Sequence, residues 1–216
     1  MKNTFAYDKD KNIVYIADAK KGNDYFCPSC RKKFVFKNSG KEGRGSRCPH
    51  FAHPAHSECH ESELHAIFKQ KTVEILKNFL DIHNFPVVID NKRANLLGGV
   101  SRIEGEFSLG VGNPRPDIAR VDYGGDCIVA LEIVVNHKPE NVTIEYYDKN
   151  DIVCLQYDVK AEDIKDVQSI ANKLQKPDKF FIPSIPKNCR RSPYRNAPAV
   201  SVYKGKLYKK KNRPSD

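Results

Sequence analysis

The sequence predicts a mixed α/β (α+β) protein in which a small N-terminal β module precedes a larger core of strands and helices. Three observations support this fold class. Cysteines and histidines crowd the first third of the chain, an amphipathic helix follows at 63–80, and two strong strands flank a glycine pair at 124–125. A chain of 216 residues has room for such a module and one ordinary domain. We expect a module at 1–60, a core at 61–175 and a Pro-rich, basic C-terminal segment at 176–216.

The composition argues against a membrane protein and against general disorder. Hydrophobic residues make up only 39%, but eleven Phe and ten Tyr supply enough bulk for a packed core. No apolar run approaches the roughly 20 residues that a membrane span needs, and the N-terminus has no signal-peptide pattern, so we expect a cytoplasmic protein without a membrane partner. The formal charge of +10 favours a nucleic-acid partner, although a lysine-rich surface selected for solubility would give the same total.

Clustered thiols are the first specific feature. Four of the seven cysteines and five of the seven histidines lie within residues 27–65, which favours metal binding over disulfides in an intracellular chain. Cys27 and Cys30 have the C-x-x-C spacing of a zinc knuckle, and zinc takes four N or S ligands. A thioredoxin-like redox use fits poorly because no parallel βαβ unit surrounds the pair. We predict structural Zn²⁺ on Cys27, Cys30, His53 and Cys59, with His50 and Cys48 in reserve.

The hydrophobic pattern predicts the order of the elements. Ser62 is a good N-cap for the clearest helix, in which apolar residues recur at steps of three and four. Another face of that helix carries Glu61, His65 and Lys69, for which a solvated polar face is the plain alternative to a functional one. We expect strands at 4–7, 13–17, 34–36, 85–90, 105–109, 116–123, 127–135, 152–159 and 180–182, and helices at 63–80, 138–147 and 163–174.

Two acidic residues lie on the two strongest strands. A two-residue turn at Gly124-Gly125 would pair residues whose numbers sum to 249, so that Asp117 and Glu132 face each other with Cβ atoms about 4.5–5.5 Å apart. Like charges so close destabilise a sheet unless something compensates, and a divalent cation such as Mg²⁺ does so. A three-residue or bulged loop would break the register, and Glu132 would then be free to pair outward with a lysine.

These motifs, taken in order, resemble the CoiA-like competence-protein family. The front end of the family is similar to Tyr25-x-Cys27-x-x-Cys30, His50-Phe-Ala-His53, Cys59 and Glu61-Ser62-x-x-His65-x-x-x-Lys69. Its core, which belongs to the PD-(D/E)xK nucleases, is similar to Arg115-Pro116-Asp117-Ile118 and Ala130-Leu131-Glu132-Ile133. The resemblance covers residues 5–160, and the tail from residue 175 has no counterpart.

The resemblance implies a restriction-endonuclease-like fold, with a mixed sheet flanked by helices, and a Mg²⁺- or Mn²⁺-dependent nuclease acting on DNA. On that implication Asp117 and Glu132 are metal ligands. Glu61 and His65 approach the same site from the helix. Contacts with nucleic acid are expected from four cations: Lys69, Arg115, Arg190 and Arg191. Many folds of this kind dimerise to cut both strands, so the resemblance also allows a homodimer.

One position departs from the family pattern. The usual lysine two residues after the glutamate is Val134 here. Lys138 just past the strand, or Lys69 from the helix, is expected to supply the cation instead, and His137 is another candidate. The alternatives to an enzyme are a catalytically inactive nuclease-like protein that binds nucleic acid, or one that binds a partner protein and interferes with a nucleoprotein complex. Divalent-metal binding at Asp117 and Glu132 distinguishes these hypotheses, because only the enzyme needs a metal there.

Overall fold

The computed structural model describes residues 3–37, 48–55, 59 and 61–182, together with two short strands near the C-terminus. The helices are α1 (Glu63–Asn78), α2 (Asn141–Lys149) and α3 (Val167–Leu174). The strands are β1 (Phe5–Tyr7), β2 (Ile13–Tyr15), β3 (Val35–Lys37), β4 (His50–Ala52), β5 (Pro86–Ile89), β6 (Lys92–Asn95), β7 (Arg102–Gly105), β8 (Ile118–Val121), β9 (Cys127–Val134), β10 (Val153–Asp158), β11 (Lys179–Phe181), β12 (Val202–Tyr203) and β13 (Lys206–Leu207). Within these described ranges, no helix is both long and apolar enough to span a membrane.

Five strands form one mixed sheet in the order β11–β10–β9–β8–β7. Neighbouring strands are antiparallel except β9 and β10, which are parallel and are joined through α2, as a parallel pair requires. Residues of α1 and α3 pack against one face of the sheet, and Tyr147 of α2 packs against the other. The mixed α/β prediction is confirmed. The edge strand β11 lies beyond residue 175, so the sheet extends into the segment expected as a tail.

Strand β9 is apolar on both faces because helices cover both of them. Val129, Leu131 and Ile133 point to the α1 and α3 side, whereas Ala130 lies under α2. Its near-continuous run of buried residues is typical of a central strand between two helical layers. Glu132 is the polar exception in this run, and it shares the α2 face with Ala130 by the two-residue period of a strand.

The hairpin between β8 and β9 keeps the predicted register by a different route. The turn is longer than predicted, since the backbone N–H of Asp122 donates to the carbonyl of Asp126 and Val121 pairs with Cys127. A β-bulge at Ile128 then restores the offset, and Arg120 pairs with Val129. The prediction of a two-residue turn at 124–125 is therefore wrong. The three-residue loop shifts the register by one residue, and the bulge shifts it back. Beyond the bulge the strands therefore pair as predicted, which places Asp117 opposite Glu132.

Three other predicted elements need correction. The strand predicted at 105–109 is absent, because Arg102–Gly105 forms β7 and the left-handed backbone of Glu106 (φ 55°) turns the chain out of the sheet. The region 163–174 divides into a 3-10 turn at Ala161–Ile164 and α3. The predicted strand 13–17 ends at Tyr15 and continues as a 3-10 turn.

The N-terminal module contains two antiparallel strand pairs around a small aromatic core. Strands β1 and β2 pair, as do β3 and β4, and Phe51 of β4 is fully buried between the rings of Tyr25 and Phe34. So few buried side chains give a module of this size little hydrophobic stabilisation of its own. Phe5 and Tyr7 of β1 instead belong to the main core with α1, which attaches the module to the sheet domain.

Helix α1 begins as predicted. The Ser62 hydroxyl accepts a hydrogen bond from the backbone N–H of His65 at 3.2 Å. We expect Ser62→Ala to lower the free energy of unfolding by about 1 kcal/mol, measured by urea denaturation, because one N-terminal amide loses its acceptor. Ser108→Ala, in an exposed loop with only a 3.4 Å contact to an amide, is the control and should have no effect. Equal losses in both variants would contradict the capping role.

Candidate functional site

Four side chains of the module converge on one point. The ligand atoms of Cys27, Cys30, His53 and Cys59 all lie within 4.8 Å of one another. The Sγ atoms of Cys27 and Cys59 are 3.8 Å apart, and the Sγ of Cys30 is 4.0 Å from Nδ1 of His53. Two Zn–S bonds of about 2.3 Å opened to a tetrahedral angle separate the sulfurs by about 3.8 Å. The donor set and its spacing therefore suit a metal ion such as zinc.

Local backbone structure explains how the thiols meet. The turn after Cys27 closes through hydrogen bonds from Arg31 N–H to the Cys27 carbonyl and from Cys27 N–H to the Lys32 carbonyl. Burial raises the pKa of the Cys27 thiol to about 12, and a bound metal would replace that proton because zinc binds thiolate. The two reserve residues stay apart from this group: Cys48 is exposed, and its carbonyl is 2.9 Å from Nδ1 of His50.

The polar face at the start of α1 is a half-buried network. Nδ1 of His65 lies 2.7 Å from the Glu61 carboxylate, and Lys69 donates to the same carboxylate at 2.6 Å. Nε2 of His65 lies 3.1 Å from Oδ2 of Asp117. The side chain of Lys69 is only 13% exposed, and it also forms an ion pair with Glu106. The solvated alternative for this face is therefore wrong, because the chain Lys69–Glu61–His65–Asp117 connects the helix to the hairpin.

The two carboxylates predicted on the hairpin are neighbours. Oδ2 of Asp117 accepts a hydrogen bond from the backbone N–H of Ile133, the residue next to Glu132, at 2.8 Å. Glu132 accepts a hydrogen bond from the hydroxyl of Tyr147 at 2.6 Å. Burial, followed by the charge of Asp117, raises the pKa of Glu132 to about 8. The pair thus carries the repulsion that a divalent cation would relieve.

Opposite charges alternate along the network. Burial lowers the pKa of His65, but its hydrogen bonds to Asp117 and Glu61 outweigh burial and raise the value to about 9. Burial likewise opposes ionisation of Glu61, yet hydrogen bonds from His65 and Lys69 bring its pKa down to about 2. At neutral pH His65 is therefore an imidazolium that donates from both nitrogens, which holds the Asp117 carboxylate in place.

The other predicted site residues fall into three groups. Arg115 lies beside the network, with its Nε donating to the Glu106 carbonyl at 2.7 Å. Lys138 and His137 are exposed in the loop between β9 and α2, and the described part of the chain gives neither side chain a hydrogen bond or an ion pair. Arg190 and Arg191 lie outside the described residues.

Sequence reasoning missed Tyr147 and Glu106. Tyr147 is buried and anchors Glu132, but nothing in its local sequence separates it from the adjacent Tyr146. Its role follows from the crossover of α2 over the sheet. Glu106 pairs with Lys69 because the chain leaves β7 in a left-handed turn, where a strand had been predicted.

Comparisons of the chain with protein-family models, with curated proteins and with solved structures found no match. The resemblance to the CoiA-like family therefore stays an expectation from the sequence.

Glu132 gives the protein a specific pH dependence. Its pKa is raised from 4.5 to about 8 in the folded state, so folding takes up a proton between these values and the stabilisation is lost as pH rises through 8. We expect Glu132→Gln, which stays neutral, to become more stable than the wild type by about 1 kcal/mol per pH unit over this window. Urea denaturation at pH 5.5 and 8.0, without added divalent ions, checks this. A difference that does not change with pH would contradict it.

Proposed function

We propose that the protein is a metal-dependent nuclease that hydrolyses DNA phosphodiester bonds, and that its module binds structural zinc. The observation that carries the proposal is the juxtaposition of two half-buried carboxylates, Asp117 directly before β8 and Glu132 on the paired strand β9. The imidazolium of His65 offsets part of the repulsion between them, yet the pKa of Glu132 stays raised to about 8, so a further cation beside the pair is favoured. Mg²⁺ is usually held by one or two carboxylates together with substrate phosphates, which fits this pair.

The topology supports the same proposal. Along the chain, α1 is followed by three antiparallel strands (β7, β8 and β9), then by α2 and a parallel strand (β10), with the hairpin β5–β6 inserted after α1. The resemblance to CoiA-like proteins implies a mixed sheet flanked by helices, so this arrangement supports the proposal. Fold alone does not establish chemistry, so the carboxylate pair is the main support for catalysis.

Each residue of the site has a separate task in this proposal. Asp117 and Glu132 would hold Mg²⁺ or Mn²⁺, which supplies a Lewis acid and lowers the pKa of a bound water. Tyr147 fixes one oxygen of Glu132, and His65 fixes one oxygen of Asp117, so both carboxylates are oriented before an ion arrives. Lys69 places a positive charge on the helix beside the two carboxylates. In this proposal its ammonium group exchanges its ion pairs with Glu61 and Glu106 for one with a substrate phosphate.

One observation favours a second candidate, a nuclease-like protein that binds nucleic acid without cutting it. Val134, at the position of the usual lysine, is 7% exposed at the end of β9, so an apolar side chain lies where the family has a cation. The lysine of the following loop, Lys138, is exposed and makes no hydrogen bond or ion pair with the described residues. On this reading the carboxylate pair would be a remnant of an active site.

A cleavage assay on the zinc-loaded wild type separates the two candidates. Labelled single-stranded DNA, double-stranded DNA and RNA are incubated with Mg²⁺, Mn²⁺ or Ca²⁺, or without a divalent ion. The nuclease proposal predicts products with Mg²⁺ or Mn²⁺ on at least one DNA and none without an ion. Binding of the same DNA with no product under any condition would favour the second candidate.

A further inference from the structure

A groove of about 410 Å³ runs between the module and α1. Its walls come from the β1–β2 hairpin, the turn after the C-x-x-C pair, α1 and the end of β7. Four of its lining side chains are cationic and two are anionic. The groove is lined in part by Tyr7, Lys11, Arg31, Lys69, Lys71, Glu74 and Glu106.

The charges in the groove are only partly balanced. Lys69 is paired with Glu106, and Lys71 with Glu74 at 2.9 Å. Arg31 donates only to the neutral amide oxygen of Gln70, and within the described residues neither Arg31 nor Lys11 forms an ion pair. The lining therefore carries two more positive than negative charges, and a concave surface with such an excess concentrates anions.

Tyr7 gives the second, independent indication of a ligand. The residue is 2% exposed and lines the groove, yet its hydroxyl has no hydrogen-bond partner among the residues that the structure describes. A buried hydroxyl without a partner is unfavourable, and such groups usually find one. The guanidinium carbon of Arg31 lies 4.9 Å from the centre of the Tyr7 ring, and Nζ of Lys71 lies 5.9 Å from it. Burial keeps the phenol protonated by raising its pKa to about 12, so the hydroxyl remains a donor.

We propose that this groove binds a backbone phosphate of the nucleic-acid strand, with Arg31 and Lys11 supplying charge and Tyr7 a hydrogen bond. Phosphate oxygens accept several hydrogen bonds, so all three groups can donate to them. Their negative charge is also complementary to the two cations, Arg31 and Lys11. The inference deepens the proposed nuclease function, because Lys69 lines the groove and also reaches Asp117 through Glu61 and His65. A strand held in the groove would therefore continue toward the carboxylate pair.

The test measures DNA binding without added divalent ions, so that it does not depend on cleavage. The probe is a fluorescein-labelled single strand of 20 nucleotides, titrated at several NaCl concentrations. We expect the double variant Lys11→Gln/Arg31→Gln to raise Kd at least tenfold and to lower the slope of log Kd against log salt by about 0.7, since each phosphate neutralised on a single strand contributes about 0.7. The matched control Lys92→Gln/Arg93→Gln removes two exposed cations from β6, outside the groove lining, and should keep the wild-type slope.

Tyr7→Phe distinguishes binding from a purely structural role. Because the described part of the chain gives the hydroxyl no partner, its removal should leave Tm unchanged or higher while raising Kd about threefold to tenfold. A lower Tm with unchanged Kd would overturn the assignment of Tyr7.

The remaining outcomes are also decisive. Equal Kd values and slopes for the two double variants would overturn the groove as a strand site, whether or not the protein cleaves DNA. Inorganic phosphate would be the ligand if it raises the Tm of the wild type but not of the variant that lacks Arg31, while the Kd for DNA is the same in the wild type and in both double variants. That result would assign the groove to a free phosphate and overturn the strand proposal. Groove-dependent DNA binding without cleavage would support this inference and count against the nuclease.

Discussion

Asp117→Asn and Glu132→Gln are each expected to reduce DNA cleavage at least about 1000-fold, since a catalytic metal contributes several kcal/mol and about 1.4 kcal/mol is tenfold in rate. The fold should survive in both variants. At neutral pH the Glu132 carboxyl is mostly protonated, because its pKa is about 8, and a glutamine side chain has nearly its shape. The Tyr147 hydroxyl can still donate to the amide oxygen. Cleavage rates with Mg²⁺, beside circular dichroism and zinc content, measure the effect.

The same hairpin and sheet provide controls for those variants. Asp126→Asn changes an exposed carboxylate on the β8–β9 hairpin, and Glu104→Gln changes a half-buried carboxylate on β7 that pairs with Arg102. Both should cleave at the wild-type rate. Losses as large in the controls as in the site variants would show that general charge, rather than the carboxylate pair, governs cleavage.

Loss of the module metal should have the largest effect on stability. We expect Cys27→Ser to release zinc and to unfold the module, because its aromatic core is small and structural zinc sites can contribute about 10 kcal/mol or more. The main core should also weaken, since Phe5 and Tyr7 of β1 pack into it. Zinc content by elemental analysis and thermal unfolding by circular dichroism check both expectations, and a selective zinc chelator should reproduce them in the wild type.

Cys48→Ser and His50→Gln are the matched controls for the module. Both residues lie close in sequence to the proposed ligands but outside the group of four. The account predicts one zinc per chain and an unchanged Tm in both variants. Zinc loss on replacing Cys48, with zinc retained in Cys27→Ser, would contradict the ligand set.

The β8–β9 hairpin shows why the sequence was enough to predict that Asp117 and Glu132 are neighbours. Hydrophobic pattern fixed the two strands, and the burial of β9 on both faces left few registers that keep Val129, Leu131 and Ile133 in the core. The loop was predicted wrongly, yet the bulge at Ile128 corrected the offset. Packing of the strands therefore determined the register more strongly than the turn did.

Other contacts of the site were not predictable from sequence, because they depend on tertiary placement. Tyr147 reaches Glu132 only because α2 crosses back over the sheet. The Lys69–Glu106 pair depends on a left-handed backbone at a residue that favours no such conformation. The groove beside Tyr7 combines residues from β1, the thiol turn and α1, whose proximity no local pattern reveals.

We propose above all that Asp117 and Glu132 together form a divalent-cation site. Its most direct test is the number of Mn²⁺ ions bound per chain, obtained from the electron paramagnetic resonance signal of free Mn²⁺, for the zinc-loaded wild type, Glu132→Gln and Asp126→Asn at pH 8. We expect at least one bound Mn²⁺ in the wild type and in Asp126→Asn, and its loss in Glu132→Gln. Equal Mn²⁺ binding by all three proteins, or none by the wild type, would contradict it.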